Sequence, residues 1–190
     1  LRAAAPAALV LVAGLGLSGA GLALPRICDA ESQYFCIRTV DLTPEAPGAV
    51  RLMVLDHLAH GVSGRDDPTL AFTEHSAMLD AITRMRMDGR DFHAFFIGGG
   101  SFSVPRAWAA RGISDITVAE IDPEVTRIAA RDFWFDPASA TVLHEDARHA
   151  LLTRPEARFD VVVGDAFTDI AVPAHLVTLE FFRLVRDRLG

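Results

Sequence analysis

Glycines and carboxylates that follow apolar runs are the residues of this chain that could do chemistry. Gly98 to Gly100 follow the run FHAFFI, and Glu120, Asp146 and Asp165 each follow a later apolar run. Glycines at such a bend permit positive φ and let a ligand approach the backbone closely. A carboxylate about twenty residues further on is placed to accept hydrogen bonds from ribose hydroxyls. The pattern predicts a nucleoside site. Because Ser101 follows the three glycines, the spacing departs from the G-x-G-x-x-G motif of dinucleotide sites, and this favours a single adenosyl group over a dinucleotide.

Alternating strand and helix patterns position these residues. Fully apolar strands that alternate with helices are typical of a parallel sheet covered by helices on both faces. Ligands bind beyond the carboxyl ends of such strands, so we expect the glycines and carboxylates to converge on one crevice. The predicted elements are a strand from Phe92 to Ile97, a helix to about Arg111, a strand from Ile116 to Ala119, a helix from Pro123 to Arg131, a strand near 140–143, a helix from Ala147 to Leu152, a strand from Phe159 to Val163, and a helix from His175 to Leu189.

The region before the glycines is predicted to contain a small β-rich subdomain. Short apolar runs predict strands at 34–40 and 50–55, with 58–62 as a candidate third strand. Apolar residues at helical spacing predict a helix from Leu70 to Met87. We therefore expect a β-rich subdomain over 27–69 and a nucleoside-binding domain over 70–190.

The first 26 residues have the composition of a membrane span. Ala3 to Leu24 carry no charge, with one arginine on each side, and this length crosses the hydrocarbon core of a bilayer. We expect a transmembrane helix over 1–26, with a secretory signal peptide as the alternative. The sequence begins at Leu1 and stops at Gly190 after a predicted helix. We accordingly expect it to be part of a longer, multi-pass membrane protein with an incomplete C-terminal domain.

Composition narrows the possible partners. The net charge of −7 and the pI near 5.4 argue against a nucleic-acid surface, because phosphate binding depends on clustered lysine and arginine. Cys28 and Cys36 cannot form a zinc site by themselves, and reduced thiols are expected if the domain is cytosolic. His57, His60 and His75 could be drawn together as a metal cluster, but solvated or hydrogen-bonded histidine is the default, so no metal is predicted.

Several motifs resemble the spermidine synthase (polyamine aminopropyltransferase) family, and in particular its membrane-fused branch. The resemblance runs from about Glu31 to the end of the chain. It rests on Glu31-Ser32 with Tyr34, Leu55-Asp56, Phe72-Thr73-Glu74, the run GGGSFSVPR at 98–106, Glu120-Ile121-Asp122, Glu145-Asp146-Ala147, and the run DAFTDIAVPAHLVTLEFF at 165–182.

This resemblance implies a Rossmann-like methyltransferase-type fold behind an N-terminal β-domain. It implies decarboxylated S-adenosylmethionine as cosubstrate and methylthioadenosine as product, with an amine as acceptor, no tightly bound cofactor and no metal. Gly98 to Gly100, Ala147, Glu120 and Asp146 would hold the nucleoside, Glu120 at the ribose and Asp146 at the adenine amino group. A cell-membrane location with a cytoplasmic catalytic domain is implied, and a homodimer is left open.

Asp165 takes the role of proton acceptor in this resemblance, and the chemistry agrees. A primary amine with a pKa of about 10.4 is protonated at neutral pH and cannot attack carbon until a base takes its proton. A single acidic residue after a strand is also often a helix N-cap, which is the alternative reading of Asp146 and Asp165.

The sequence departs from the soluble synthases where those enzymes bind the diamine. Ser101 and Thr168 replace aspartates, Asp169 lies one residue beyond, and Phe35 replaces a glutamine. We treat Ser101, Thr168 and Asp169 as the candidate substrate-binding residues. Two rival functions stay open, a methyltransferase in which Arg106 is the nearest candidate for the methionine carboxylate, and a non-catalytic nucleoside-binding module coupled to a membrane part.

Overall fold

The computed structural model describes residues 27–46, 48–168 and 171–190. The predicted transmembrane segment over 1–26 and the candidate residue Asp169 lie outside the described residues. Within the described ranges, no helix is both long enough and apolar enough to cross a membrane.

Eight strands and five α-helices follow one another in the described part of the chain. The strands are β1 (Ala30–Glu31), β2 (Cys36–Asp41), β3 (Val50–Leu55), β4 (Leu58–Gly64), β5 (His93–Ile97), β6 (Asp115–Ala119), β7 (Thr141–Leu143) and β8 (Val161–Gly164). The helices are α1 (Glu74–Met87), α2 (Ser103–Ala110), α3 (Pro123–Asp132), α4 (Ala147–Thr153) and α5 (Leu179–Arg186).

The N-terminal strands form an antiparallel sheet in the order β1-β2-β3-β4. Asp56 and His57 form the turn between β3 and β4, and Asp56 takes a left-handed φ of 52°. The Asp56 carboxylate accepts a hydrogen bond from the Cys36 amide at 2.8 Å, which ties this turn to the start of β2. All three strands predicted in this region are present, including the candidate third strand, which is β4.

The second sheet is parallel, with strand order β7-β6-β5-β8. The chain runs from β5 outward through β6 to β7 and then crosses to the other side of β5 to form β8. Ligands of open α/β sheets bind where the strand order reverses in this way, at the carboxyl ends of the strands. The fold thus places a crevice between the ends of β5 and β8, directly after Ile97 and Gly164.

Helices cover both faces of the parallel sheet, as the apolar strands predicted. On one face Phe96 and Val118 pack with Trp108 of α2 and with Val125 of α3, in a core that also contains Met53 of β3. On the opposite face Phe95 and Ile97 pack with Leu151 of α4 and Phe181 of α5. Alternate residues of β5 therefore face opposite cores, and this fixes the strand rigidly beneath the glycine bend.

Helix α1 begins at Glu74, four residues later than the apolar spacing predicted. The hydroxyl of Thr73 accepts a hydrogen bond from the Ser76 amide at 3.2 Å and so caps the helix. A capping threonine satisfies one of the free amides of the first turn. Leu70 to Phe72 consequently lie outside the helix, and Thr73 and His75 lie at the helix start beside the crevice.

The expectation that the two cysteines are reduced is wrong for this structure. Cys28 and Cys36 form a disulfide with a Cα–Cα distance of 5.3 Å. Antiparallel pairing explains their proximity, since β1 and β2 pair Glu31 with Cys36 and the Asp29 amide donates to the Ile37 carbonyl. The disulfide closes the loop that contains Tyr34 and Phe35.

Candidate active site

Glycines at the end of β5 allow two other segments to approach the bend. Gly98 has a φ of 91°, and a Cβ there would lie 2.7 Å from the carbonyl oxygen of Asp165. Gly100 has a φ of 51°, and a Cβ there would lie 2.5 Å from the carbonyl oxygen of His60. Side chains rarely adopt these φ values and would also collide. The glycines thus bring the end of β8 and strand β4 against the bend.

Glu120 braces the bend from the end of β6. Its carboxylate accepts hydrogen bonds from the Gly99 amide at 2.8 Å and from the Asp122 amide at 2.9 Å. The side chain is 5% exposed. Burial raises the pKa of Glu120, and the hydrogen bonds from Asp122 and Gly99 only partly oppose this. The carboxylate is therefore positioned rigidly and retains lone pairs for a ligand hydroxyl.

Asp146 both caps a helix and lines the site. One carboxylate oxygen accepts the His149 amide at 2.9 Å as the N-cap of α4. The other oxygen lies 2.6 Å from His175 Nε2. Burial alone would raise the pKa of Asp146, but the hydrogen bonds from His175 and from the His149 amide outweigh it and lower the pKa. Asp146 is therefore an N-cap, and it also lies in the wall of a cavity.

Asp165 follows β8 and faces the crevice. Its Oδ1 lies 3.2 Å from His75 Nε2, and its side chain is 40% exposed. No helix in the described residues begins at Asp165, so its carboxylate is not an N-cap there. The side chain is consequently available to a bound molecule, with His75 as its charged or polar neighbour.

A first cavity, of about 270 Å³, lies over the ends of β5, β6 and β8. We call it the nucleoside cavity because Glu120 and the glycine bend form its floor. Most of the residues predicted to bind the nucleoside are brought together here. Its wall includes Gly98, Gly100, Glu120, Asp146, Ala147 and Asp165, with Tyr34 and Phe35 from the N-terminal piece, and Thr168 and His175 from the segment after β8.

A second cavity, of about 330 Å³, adjoins the first. The two cavities share wall residues at their junction, which are His60, Gly98, Gly100, Asp165 and Phe167. The second cavity extends between β4 and the start of α1, where Thr73 and His75 line it. Asp165 thus lies where a molecule in one cavity would meet a molecule in the other.

Two predicted substrate-binding positions lie away from the second cavity. Ser101 is 1% exposed and faces strand β4, where a Cβ on Gly61 would lie 2.1 Å from its hydroxyl oxygen. It lines neither cavity. Thr168 lines the nucleoside cavity, and its hydroxyl donates to the Ala171 carbonyl at 2.8 Å.

Arg106, the candidate for a methionine carboxylate, is bound to the backbone of β4 and the residue after it. It donates to the Gly64 carbonyl at 2.7 Å and to the Arg65 carbonyl at 3.2 Å. It lines neither the nucleoside cavity nor the second cavity. The structure therefore assigns Arg106 a role in holding α2 to the N-terminal sheet.

Histidines are the site residues that sequence reasoning missed. His75 pairs with Asp165 and His175 pairs with Asp146, while His60 lines both cavities. His175 lines the nucleoside cavity. None of the three lies after a parallel strand, so the rule that located the carboxylates could not find them.

Ser32 connects the N-terminal piece to this site. Its hydroxyl donates to Asp122 at 2.5 Å and accepts from the amides of Tyr34 at 3.0 Å and Phe35 at 2.9 Å. Asp122 itself caps α3 through the Glu124 amide. This hydrogen-bonded turn holds the two aromatic residues over the nucleoside cavity, and the Glu31-Ser32 motif was the signal for it in the sequence.

Comparisons with known proteins agree with this geometry. A polyamine aminopropyltransferase of Vibrio vulnificus is 37% identical over 98 residues, which are 50% of this chain and 33% of that protein. An N-terminal histidine N-methyltransferase of Emericella nidulans is 38% identical over 94 residues, which are 47% of this chain and 16% of that protein. The matches thus span a third or less of each of these relatives. No protein-family model matches the chain.

The fold has a counterpart among solved structures. A probable spermidine synthase from Corynebacterium glutamicum superposes with a TM-score of 0.76 at 21% identity, over 87% of this chain and 61% of that one. The shared fold covers both the antiparallel and the parallel sheet, since 87% of the chain exceeds what either contains alone. Part of the sequence is thus similar to a polyamine aminopropyltransferase, and the fold of the chain is similar to that of a spermidine synthase.

Proposed function

We propose that this chain transfers an aminopropyl group from decarboxylated S-adenosylmethionine to an amine, the chemistry of polyamine biosynthesis. The observation that carries the proposal is the position of Asp165 at the junction of the two cavities. The nucleoside cavity would hold the donor and the second cavity the acceptor. Asp165 would then lie beside the bond that forms between them.

The donor's nucleoside is held by residues that follow β5, β6 and β7. Glu120 is fixed by two backbone amides and accepts hydrogen bonds from the ribose hydroxyls through its remaining lone pairs. The adenine lies toward Asp146 and Ala147, at the wall formed by the start of α4. Gly98 and Gly100 leave room for the sulfonium end to approach the backbone.

Asp165 supplies the base. The acceptor arrives as an ammonium, and its proton passes to the Asp165 carboxylate as the nitrogen lone pair attacks the propyl carbon next to sulfur. A carbon–nitrogen bond forms, the carbon–sulfur bond breaks, and its electron pair leaves on sulfur as a neutral thioether. His75, 3.2 Å from Asp165, lies where the proton can continue toward solvent.

The charges of the site support a decarboxylated donor. No arginine or lysine is found among the described residues that line the two cavities. The carboxylate of S-adenosylmethionine would therefore meet no cationic side chain among these residues. A methyltransferase is the second candidate, favoured by the match to a histidine N-methyltransferase.

Calorimetry and product analysis test the proposal together. We expect the protein to bind decarboxylated S-adenosylmethionine more tightly than S-adenosylmethionine, and to release methylthioadenosine when an amine is added. Tighter binding of S-adenosylmethionine with formation of a methylated amine would establish the methyltransferase instead. Nucleoside binding without turnover of any amine would establish a non-catalytic module.

The membrane-fused branch of the family is also a proposal, supported by the uncharged segment from Ala3 to Leu24. The cytoplasmic location and the homodimer stay predictions. The disulfide between Cys28 and Cys36 argues against a reducing compartment, where such bonds are rare. Free thiols can be alkylated before reduction in protein taken from its own cell. Both cysteines should remain unmodified if the protein lies in an oxidising compartment, and both should be alkylated if it lies in the cytoplasm.

A further inference from the structure

The described residues that line the second cavity carry too few charges for a diamine. We propose that its acceptor is a primary amine with one cationic nitrogen and an apolar remainder. The inference rests on the proposed function, because it takes the nucleoside cavity as the site of the donor. It goes further by naming the class of acceptor.

Asp165 is the one carboxylate among the described residues that line the second cavity. That carboxylate already has His75 Nε2 at 3.2 Å. If His75 is neutral, the pair carries one negative charge and can neutralise one ammonium. If His75 is protonated, the pair is neutral and offers even less to a second cation. In either state the described part of the wall has charge for at most one ammonium group.

The rest of the wall suits a hydrocarbon. Strand β4 contributes Leu58 and Val62, α1 contributes Leu79, and α2 contributes Val104, while Phe167 closes the junction. A second ammonium pressed against these side chains would lose its hydration without gaining a partner. An alkyl chain in the same position would bury apolar surface, which is favourable.

Neighbouring polar groups do not change this balance. The hydroxyl of Ser101 is buried against Gly61 and does not reach the cavity. Glu74, at the start of α1, is exposed and is not part of the wall. Thr73 lines the cavity, and its hydroxyl caps α1 and contacts the Ser76 hydroxyl at 2.8 Å. The hydroxyl groups offer dipoles to an amine but no charge.

Two amines of matched size test the inference. n-Pentylamine and 1,4-diaminobutane have equal numbers of non-hydrogen atoms and differ only in a terminal methyl or ammonium group. We would measure their affinity by calorimetry, with the full chain both free and saturated with methylthioadenosine. The monoamine is expected to bind at least tenfold more tightly than the diamine. Equal or tighter binding of the diamine, or binding of neither amine, would overturn the inference.

A matched pair of variants identifies charge as the cause. Thr73→Asp keeps a capping side chain and adds a carboxylate at the wall, whereas Thr73→Asn keeps the cap and adds none. We expect Thr73→Asp to shift the preference toward the diamine at least fivefold and Thr73→Asn to leave it unchanged. An equal shift in both variants would contradict the charge argument. These binding results do not depend on turnover, so they are distinct from a failure of aminopropyl transfer.

Discussion

The two cavities differ in how they are built. The carboxylates that line the nucleoside cavity are held by hydrogen bonds within the protein. Glu120 accepts from two backbone amides, and Asp146 is bonded to the His149 amide at the start of α4 and to His175. The second cavity is mainly apolar, and His75 Nε2 lies 3.2 Å from the Asp165 carboxylate in its wall. Under the proposed function, recognition of the nucleoside would be preorganised, while recognition of the acceptor would depend on the His75–Asp165 pair and on shape.

This difference separates what the fold requires from what the acceptor requires. The glycines and Glu120 hold the ends of β5 and β6 together even without a ligand, because the Gly99 amide needs the Glu120 carboxylate. The second cavity shares Phe96 of β5 and Val163 of β8 with the parallel sheet, but most of its other residues come from β4, α1 and α2. The acceptor side therefore includes residues, those of β4 and α1, that lie outside the parallel sheet.

Removal of the base is expected to have the largest effect. Asp165→Asn leaves the shape of both cavities but removes the proton acceptor, so turnover should fall by about 10²- to 10⁴-fold. Methylthioadenosine affinity should stay within roughly threefold, since the contacts proposed for the ribose and the adenine are made by Glu120 and Asp146 and not by Asp165. Steady-state assays and calorimetry measure the two quantities. Asp187→Asn, in an exposed pair with Arg186, is the matched control. Full activity of Asp165→Asn would remove Asp165 from the mechanism.

Substitution of Glu120 is expected to affect the nucleoside cavity and not the second cavity. Glu120→Gln replaces charge-assisted hydrogen bonds to the ribose, each of which contributes about 1.5–3 kcal/mol. Nucleoside affinity should fall roughly 10- to 100-fold by calorimetry, with amine affinity unchanged. Glu124→Gln, on the exposed side of α3, should change neither. A comparable loss of amine affinity in Glu120→Gln would show that the two cavities are not independent.

The pH dependence of nucleoside binding also tests the role of the Glu120 carboxylate. Burial raises the pKa of Glu120 above its ordinary value of 4.5. Ribose hydroxyls donate to the charged form, so affinity should be full at higher pH and fall as the pH drops through this raised pKa. Calorimetry of methylthioadenosine across the acidic range measures the fall. In Glu120→Gln that fall should be absent, and its persistence would point to another group, such as Asp146.

The disulfide is expected to have the smallest effect on the site. Replacing Cys28 and Cys36 by serine should lower the free energy of unfolding by roughly 2–3 kcal/mol, the expectation for a loop of this size. Nucleoside affinity should fall only about two- to tenfold, because the Ser32 turn still positions Tyr34 and Phe35. Thermal unfolding and calorimetry measure both. Unchanged stability on reduction of the wild type would show that the disulfide does not constrain this loop.

Local patterns in the sequence predicted the parallel sheet and the convergence of Glu120, Asp146 and Asp165 at its edge, because these depend on rules that act over a few residues. Apolar strands, the glycine bend and carboxylates after strands are all short-range signals. The pairing of His75 with Asp165 joins residues 90 positions apart across separate elements, and no local pattern encodes it. The burial of Ser101 against Gly61 likewise depends on how β4 packs on the bend.

The state of the cysteines and the start of α1 are two further features that the sequence did not predict correctly. Two cysteines eight residues apart gave no sign of bonding until β1 and β2 were known to pair. The apolar spacing from Leu70 onward predicted the wrong start of the helix because the Thr73 cap overrides it. In both cases a specific contact decided the structure, and hydrophobic pattern did not.

A crystal structure with methylthioadenosine and n-pentylamine bound together would test the central claim most directly. We predict the ribose hydroxyls on Glu120, the alkyl chain in the second cavity, and the amine nitrogen within hydrogen-bond distance of the Asp165 carboxylate. A nucleoside bound away from Glu120, or an amine nitrogen out of reach of Asp165, would contradict the proposal that donor and acceptor meet there.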